Sequence, residues 1–405
     1  MKYGLIGKTL KHSYSKLIHE AFKSYTYDLL SMSEDEIPEY MKNDEYAGFN
    51  VTIPYKETII PYCDELSCEA EKIGSVNTVV KKNGKVYGYN TDYAGFEALA
   101  KRVGIDFFGK KVVILGSGGT YKTVYSVVSD RNAREIISVS RKGRYNYDNI
   151  EEWCDAQIIV NTTPVGMYPD NGLTLLNLDA FHALEGVIDV IYNPLKTKLV
   201  YDAEKKGIKS TGGLYMLVFQ AKEAYELFLG KKIPDKKVEK IYNDLLSKMT
   251  NIVFIGMPGS GKSTAGRIAS EVFGRELIDI DALVEKNAKM SIPDIFDKFG
   301  EAHFRNIESE CAEETGKLTG KVISCGGGII KKSENLYPLA QNGKILWIKR
   351  DLNLLATDGR PLSKDIEALK KMEVERTPLY ESFADEIINN DESLDILRNK
   401  IKNIL

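Results

Sequence analysis

Residues 251–264 read NIVFIGMPGSGKST, and this stretch sets the fold class of the second half of the chain. An apolar, strand-like run leads into a glycine-rich turn and then a helix-like segment. Residues 256–263 match the P-loop pattern GxxxxGK[ST], whose glycines let successive backbone N–H groups face a phosphate. Lys262 is expected to reach the β- and γ-phosphates of a nucleotide, and the Ser263 hydroxyl to ligate Mg²⁺. The predicted nucleotide-binding residues are Gly259, Ser260, Gly261, Lys262, Ser263 and Thr264.

Three further features of this half predict a small polyol as substrate. Asp279 and Asp281 follow a strand candidate at 275–280, which places two carboxylates at a strand end, where ligands of α/β sheets bind. Arg305 lies in a helix-like stretch. The glycines at 326–328 follow an apolar run and allow a ligand to approach the backbone closely.

The segment 251–405 resembles shikimate kinase. Beside the motifs above, the resemblance rests on Gly300-Glu301, Phe304-Arg305, Glu308, Arg360-Pro361-Leu362 and Arg376-Thr377-Pro378-Leu379-Tyr380. It implies that Asp279 helps to hold Mg²⁺ through water, and that Asp281 binds shikimate hydroxyls and helps to remove a proton from the attacking one. The implied substrate-binding residues are Asp281, Arg305, Gly327, Gly328 and Arg376, with the arginines on the carboxylate.

In the same resemblance Lys262, Asp281 and Arg360 are the catalytic residues, with Arg360 on a lid where it steadies the transferring phosphoryl group. The lid stretch 354–359 lacks the arginine that usually covers the adenine. This departure bears on nucleotide affinity rather than on the reaction.

A second glycine turn, Gly116-Ser117-Gly118-Gly119, follows a strand-like run and predicts a dinucleotide fold. The Rossmann pattern has a small residue where this chain has Tyr121. The next strand candidate, 135–140, leads into Arg141 and Lys142 with no acidic residue, which favours the 2′-phosphate of NADP over the free ribose of NAD. Further strand candidates at 157–161 and 187–192 give the alternation of a parallel sheet.

Polar side chains end two strand candidates nearer the N-terminus. Lys56 lies in the string 49–56, and Asp92 ends the string 88–92. A Lys–Asp pair can relay a proton to or from a hydroxyl. Ser13 and Ser15 add two hydroxyls that could hold a carboxylate.

These strings resemble shikimate dehydrogenase over about residues 1–245, together with matches at 73–78, 160–167, 189–194 and 212–221. The resemblance implies Lys56 and Asp92 as the catalytic pair. The implied substrate contacts are Ser13, Ser15, Thr52, Asn77, Thr91 and Gln220. The implied NADP contacts are Gly116, Ser117, Gly118, Gly119, Ser140, Arg141, Asn161, Thr162, Thr163 and, near the nicotinamide, Gly213. The departures from the family pattern are Lys16, Ser140 and Thr120-Tyr121-Lys122.

The predicted architecture is α/β throughout. A two-lobed dehydrogenase with a Rossmann-like NADP domain occupies 1–248, with a substrate lobe at about 1–100 plus 214–248 and an NADP lobe at about 101–213. A P-loop kinase domain with a parallel sheet follows at 250–405. The predicted function is bifunctional. The first half reduces 3-dehydroshikimate to shikimate with NADPH, and the second phosphorylates the shikimate 3-hydroxyl with MgATP.

The composition of the chain limits the kinds of partner and cellular setting to expect. The 405 residues carry 55 basic and 58 acidic side chains, a net charge of −3, so neither nucleic acid nor a membrane is an expected partner. Five scattered cysteines without a CxxC predict a reducing, cytoplasmic setting. The expected cofactors are NADP(H), ATP and Mg²⁺, and the expected partners are the small-molecule substrates; the oligomeric state is open. Two alternatives remain: a quinate/shikimate dehydrogenase fused to another small-polyol kinase, or a protein with one silent, ligand-sensing half.

Overall fold

The computed structural model describes residues 2–10, 13–355 and 366–404. Arg360 and the predicted lid residues 356–359 lie outside this described part. The chain forms two compact units. The first unit comprises Met1–Met167, Leu173–Asn193 and Leu199–Leu245, and the second comprises Tyr168–Gly172, Pro194–Lys198 and Leu246–Leu405. Each unit is built around its own buried apolar clusters.

The first unit begins with a six-stranded mixed sheet in the order β2-β1-β3-β5-β6-β4. Its strands are β1 (Lys2–Gly7), β2 (Thr26–Ser31), β3 (Tyr46–Val51), β4 (Glu65–Leu66), β5 (Thr78–Lys82) and β6 (Lys85–Tyr89). β1 runs parallel to β2 and β3, whereas β5 runs antiparallel to β3 and β6. The apolar side chains of β1 and β3 are almost fully buried, so these two strands form the centre of this lobe.

The second sheet of this unit is wholly parallel, in the order β11-β10-β9-β7-β8. Its strands are β7 (Lys111–Leu115), β8 (Glu135–Val139), β9 (Ile158–Asn161), β10 (Gly186–Asp189) and β11 (Lys209–Thr211). The strand predicted at 187–192 therefore ends three residues early. The cause is local, because the Asp189 Oδ1 atom accepts a hydrogen bond from the Ile191 N–H at 3.0 Å and turns the chain out of the sheet.

The helices of the first unit connect and cover these sheets. They are α1 (Ser15–Ala21), α2 (Ile37–Lys42), α3 (Cys68–Ile73), α4 (Thr91–Arg102), α5 (Gly119–Asp130), α6 (Lys198–Lys205), α7 (Leu214–Leu229) and α8 (Asp235–Met249). α7 packs along α4 and also contacts β3 and β5 of the first sheet. Its Phe228 ring stacks on Tyr3 of β1, with centroids 4.3 Å apart. The chain thus returns to the first lobe after the second sheet is complete.

The second unit holds a parallel five-stranded sheet in the order β13-β14-β12-β15-β16. Its strands are β12 (Asn251–Ile255), β13 (Leu277–Asp279), β14 (Val322–Ser324), β15 (Gly343–Lys349) and β16 (Glu386–Asn389). Its helices are α9 (Lys262–Phe273), α10 (Ile280–Ala288), α11 (Ile292–Gly316), α12 (Leu336–Ala340), α13 (Ile366–Phe383) and α14 (Leu394–Lys402). β12 lies between β14 and β15, so the strand order reverses there, and this crevice is where ligands of open α/β sheets bind.

The predicted α/β class, with a parallel Rossmann-like sheet and a parallel P-loop sheet, is confirmed. α8 ends at Met249 and β12 begins at Asn251, so a single residue joins them. Within the described ranges, no helix combines the length and the apolar character that a bilayer-spanning helix requires.

Candidate active sites

The first unit contains a cavity of about 350 Å³ near the carboxyl ends of β1 and β3. Lys56, from the turn after β3, and Asp92, from the first turn of α4, both line it. The Lys56 Nζ atom lies 2.6 Å from Asp92 Oδ2, and the two side chains are 22% and 15% exposed. Charge-assisted hydrogen bonds of this length are strong, and both groups remain accessible to a ligand in the cavity. The arrangement can hold and transfer a proton at a substrate oxygen.

The amide side chain of Asn77 forms the polar wall of this cavity. Its Oδ1 atom accepts hydrogen bonds from the Thr91 N–H at 2.7 Å and from the Thr91 and Thr78 hydroxyls. Because these donors occupy Oδ1, the Nδ2 group is left to donate to a ligand. Thr91, predicted as a substrate contact, is itself buried and does not line the cavity. Its hydroxyl instead supports Asn77 and lies 3.5 Å from Gln220 Oε1.

The other predicted substrate contacts of this half come together around the same space: Ser13, Ser15, Thr52 and Gln220. The Ser15 N–H, at the start of α1, donates to Ser13 Oγ at 3.2 Å, which fixes the two serines beside each other. Thr52 follows β3 directly, and its N–H donates to the Ile6 carbonyl at 2.9 Å.

Asn50 also lines the cavity, and the sequence analysis did not name it as a site residue. It is buried, its Oδ1 accepts from the Tyr27 hydroxyl at 2.7 Å, and its Nδ2 donates to the Thr78 hydroxyl at 3.0 Å. The signal for it was an asparagine within the otherwise apolar strand β3, because a buried amide needs partners.

The turn between β7 and α5 carries the predicted dinucleotide glycines. Gly116 has a φ of 106°, and a Cβ there would meet the Thr162 hydroxyl at 2.8 Å, so only glycine fits. α5 starts at Gly119 with Gly118 as its N-cap, and free N–H groups at a helix start suit a phosphate. On the neighbouring strand end, Asn161 Oδ1 accepts from the N–H and the hydroxyl of Thr163 at 3.0 and 2.7 Å.

The remaining predicted cofactor contacts fall in nearby positions. Ser140 and Arg141 lie in the turn after β8, and Arg141 is exposed. Gly213 lines the cavity next to the catalytic pair. The bulky Tyr121, unusual for a Rossmann turn, is accommodated because its hydroxyl hydrogen-bonds to Ser138 Oγ on β8. The donor set therefore fits a dinucleotide: helix N–H groups for the diphosphate and an exposed guanidinium for a further phosphate.

The second unit contains a cavity of about 700 Å³ next to the P-loop, and Gly259, Lys262, Ser263, Asp279 and Asp281 line it. Lys262 is buried and its Nζ donates to the Gly256 and Met257 carbonyls at 3.0 Å each, which curls the loop around it. The Asn390 amide, directly after β16, donates to the Ser260 carbonyl at 2.7 Å and braces the loop. Ser260 and Gly261 lie within the loop and Thr264 in the first turn of α9. A lysine, a hydroxyl and a carboxylate at such a loop fit a magnesium-bound nucleotide.

Asp279 and Asp281 were both expected at a strand end, but the structure places only Asp279 there. β13 ends at Asp279, whose Oδ1 accepts from the Ala282 N–H at 3.2 Å and caps α10. Asp281 therefore lies in the first turn of a helix rather than at a strand end, because the capping aspartate starts the helix early. Burial and the charge of Asp279 raise the pKa of Asp281, against the opposing pull of Lys262 and Arg305. A raised pKa makes this carboxylate a better proton acceptor than an ordinary aspartate.

Arg305 is buried between two glutamates of its own helix, α11. Its Nη1 donates to Glu308 Oε2 at 2.6 Å, and its Nε and Nη2 donate to Glu301 Oε1 at 3.2 and 3.1 Å. Glu308 is fully buried, and burial raises its pKa in spite of Arg305. A Cβ on Gly328 would overlap the Arg305 guanidinium face, so the glycine permits the stacking. The flanking glutamates hold the guanidinium in place with N–H groups left for a carboxylate.

Arg376 and Tyr380 of α13 hold the glycine turn from the other side. Arg376 Nη1 and the Tyr380 hydroxyl both donate to the Gly327 carbonyl, at 2.9 and 2.6 Å. Gly327, Gly328, Arg305 and Arg376 all line the cavity, as the prediction required of a shared site. Glu308 and Tyr380 belong to the motifs of the resemblance, but neither was among the predicted site residues. Within the described residues, no cluster of three or more His, Cys, Asp or Glu side chains has the arrangement of a metal site.

Both halves of the chain are similar to known proteins. Two family models match the chain: "Shikimate dehydrogenase substrate binding domain" at residues 5–79 and "Shikimate kinase" at 258–405. A shikimate dehydrogenase (NADP(+)) from Clostridium perfringens is 37% identical over 264 residues, covering 60% of this chain and 97% of that protein.

Two solved structures give the same result for the first half. One is a chorismate mutase/shikimate 5-dehydrogenase fusion protein from Clostridium acetobutylicum, with 32% identity, a TM-score of 0.58 and coverage of 60% of this chain and 96% of that one. The other is a shikimate 5-dehydrogenase from Thermus thermophilus in complex with NADP(H) and shikimate, with 27% identity and a TM-score of 0.55. It covers 60% of this chain and 99% of that one.

Proposed function

We infer that this chain, which belongs to the shikimate dehydrogenase family and carries a shikimate kinase domain, is a bifunctional enzyme of the shikimate pathway. Its first activity is the NADPH-dependent reduction of 3-dehydroshikimate to shikimate, and its second is the MgATP-dependent phosphorylation of shikimate. The observation that carries the first activity is the 2.6 Å Lys56–Asp92 pair inside a cavity with polar walls. The two cavities and the matched ranges support a division into 1–248 and 250–405.

In the first site, we assign proton transfer to Lys56. When bound, NADPH supplies a hydride to the substrate carbonyl carbon, and the carbonyl oxygen then needs a proton. The Lys56 ammonium donates that proton, and its hydrogen bond to Asp92 holds it in position at the cavity. Ser13, Ser15, Thr52, Asn77 and Gln220 hold the carboxylate and hydroxyls of the substrate. Thr91 acts through Asn77, whose amide it orients.

The phosphates of the dinucleotide bind, in this proposal, at the N-terminus of α5. Gly116, Ser117, Gly118 and Gly119 line that turn, and Asn161, Thr162 and Thr163 close its other side. Ser140 and Arg141 meet the 2′-phosphate, and Gly213 meets the nicotinamide end, which the cavity admits.

In the second site, the nucleotide bound at the P-loop supplies the phosphoryl group. Lys262 holds its phosphates, and Ser263 and Asp279 are the residues placed to hold Mg²⁺, Asp279 through water. Asp281 accepts the proton of the attacking hydroxyl, and its raised pKa suits that role. Arg305 and Arg376 bind the substrate carboxylate beside Gly327 and Gly328. The role assigned to Arg360 rests on its motif alone.

A coupled assay with 3-dehydroshikimate, NADPH and ATP tests the whole proposal. We expect NADPH oxidation and ADP release, with shikimate 3-phosphate as the final product. Lys56→Met should abolish NADPH oxidation and leave phosphorylation of added shikimate intact, and Lys262→Met should do the reverse. The activity that each variant retains shows that its unaltered unit is folded and working. Loss of both activities in either variant, or neither activity in the unaltered chain, would refute the proposal.

The free cysteines bear on the compartment in which the protein works. Cys311 and Cys325 are buried as free thiols, which suits a reducing compartment. We therefore place the enzyme in the cytoplasm.

A further inference from the structure

The residues Thr120-Tyr121-Lys122 depart from the family pattern. The proposed function gives Lys122 no role. Lys122 ends the first turn of α5, the helix whose start suits the cofactor phosphates. Its Nζ lies 2.6 Å from the Glu57 Oε1 atom. Glu57 is the residue directly after Lys56, so this ion pair crosses the cleft from the cofactor helix to the turn that carries the proton donor.

The position of Lys122 is unusual on electrostatic grounds. A cation in the first turn of a helix opposes the helix dipole, and α5 has no acidic residue in its first turn to compensate. The compensating charge comes instead from Glu57, on the other side of the cleft. Glu57 can balance this positive charge as long as the cofactor helix and the Lys56 turn stay together.

The far end of α5 is held in a similar way. The Asp130 carboxylate, at the last residue of the helix, pairs with Lys72 of α3 and accepts from the Tyr93 hydroxyl at 2.9 Å. The Lys72 hydrogen bond lowers the pKa of Asp130. Tyr93 follows Asp92 directly, so both ends of the cofactor helix are attached to residues adjacent to the Lys56–Asp92 pair.

We propose that Glu57 and Lys122 are positioning residues for hydride transfer, because they fix the cofactor helix against the segment that carries Lys56. The proposal rests on the proposed dehydrogenase function and adds to it a pair that touches neither substrate nor cofactor. Both side chains are substantially exposed, 62% for Glu57 and 43% for Lys122, so the pair acts on alignment and not on overall stability.

A double-mutant cycle tests this assignment. Glu57→Gln and Lys122→Gln should each lower kcat/KM for 3-dehydroshikimate about two- to fivefold, the range that an exposed ion pair can supply. The double variant should be no worse than either single one, because both changes remove the same interaction. Lys122→Arg should retain most of the activity. With deuterated NADPH, the isotope effect on kcat/KM should be larger in the two Gln variants, because hydride transfer becomes slower relative to substrate release.

Matched controls separate this reading from general damage. Lys85→Gln removes a comparable exposed pair, Lys85–Glu65, on the same lobe and should change none of these values. Phosphorylation of shikimate by the same chains should also be unchanged. Independent, multiplicative effects of the two Gln changes, an unaltered isotope effect, or values equal to those of the Lys85 variant would overturn the proposal. Failure of the proposed function itself would look different, since the unaltered chain would then not oxidise NADPH.

Discussion

The buried Arg305–Glu308 pair allows a test of how buried charges affect the free energy of unfolding of the second unit. Glu308 is fully buried, and burial raises its pKa even though Arg305 lies 2.6 Å away. Taking two charges out of water costs free energy that offsets their mutual attraction, so we expect this pair to serve the site more than the stability of the fold. Glu301 contacts the same guanidinium at 3.1 Å, but its side chain is 43% exposed. A substitution of Glu301 is therefore a matched control for a substitution of Glu308, because both glutamates pair with Arg305.

Removing only Glu308 leaves the Arg305 charge buried with a solvent-screened partner. We expect Glu308→Gln to destabilise the second unit by about 3 kcal/mol, the lower end of the range for a broken buried pair, because glutamine can still accept a hydrogen bond. Glu301→Gln should cost less than about 1 kcal/mol, as for exposed pairs. The double change Arg305→Met with Glu308→Leu should recover most of the lost stability while abolishing shikimate phosphorylation, since it replaces the pair by apolar groups of similar size.

Urea unfolding, followed by the fluorescence of Trp347, measures the free energy of unfolding of the second unit. The chain has two tryptophans, so all variants are made in a Trp153→Phe background, whose effect cancels in the comparison. Equal, small losses for Glu308→Gln and Glu301→Gln would show that burial does not distinguish the two glutamates. A double variant as unstable as Glu308→Gln would show that the destabilisation does not come from the unpaired arginine.

Three further predictions concern the two sites. Gly328→Ala, whose new methyl group would overlap the Arg305 guanidinium, should raise the KM for shikimate at least tenfold with little change in the KM for ATP, measured by ADP release. Arg141→Gln should raise the KM for NADPH about tenfold or more and leave the KM for NADH unchanged, because the proposed role of this exposed guanidinium is to bind the 2′-phosphate, which NADH lacks; equal effects on both would contradict this. The folded-state pKa of Asp281 is raised above its ordinary value of 3.8, so kcat for phosphorylation should fall as the pH drops through that raised pKa, at a higher pH than an ordinary aspartate gives. A pH–rate profile for kcat checks it, and Asp281→Asn should remove both the limb and the activity.

Local patterns explain why much of the architecture could be predicted from the sequence. The strand–glycine turn–helix units at β7–α5 and β12–α9 each need only consecutive residues, and both form with the expected order. The errors lie where a distant or capping contact intervenes. Asp189 ends β10 early through its own hydrogen bond to Ile191, and Asp279 starts α10 where a strand was expected to continue.

The site residues that the prediction missed depend on partners far along the chain. Asn50 is held by Tyr27, which belongs to β2, a strand that the apolar patterning did not indicate. Tyr380 meets the Gly327 carbonyl across 53 residues of sequence. No spacing rule links such positions, because the contact arises only when the sheet and α13 are assembled.

The charges that line the second cavity show how a nearly neutral protein can recognise an anionic substrate. The described lining of the cavity holds three cations, Lys262, Arg305 and Arg376, and four carboxylates, those of Asp279, Asp281, Asp297 and Glu308. An anionic substrate therefore gains little from the net field of this site, and its recognition must come from how individual N–H groups are aimed. The glutamates beside Arg305 and the Gly327 carbonyl beside Arg376 fix the orientations of the two guanidinium groups. Arg141 of the first unit is exposed, so we expect charge attraction that salt can screen to contribute more to recognition there.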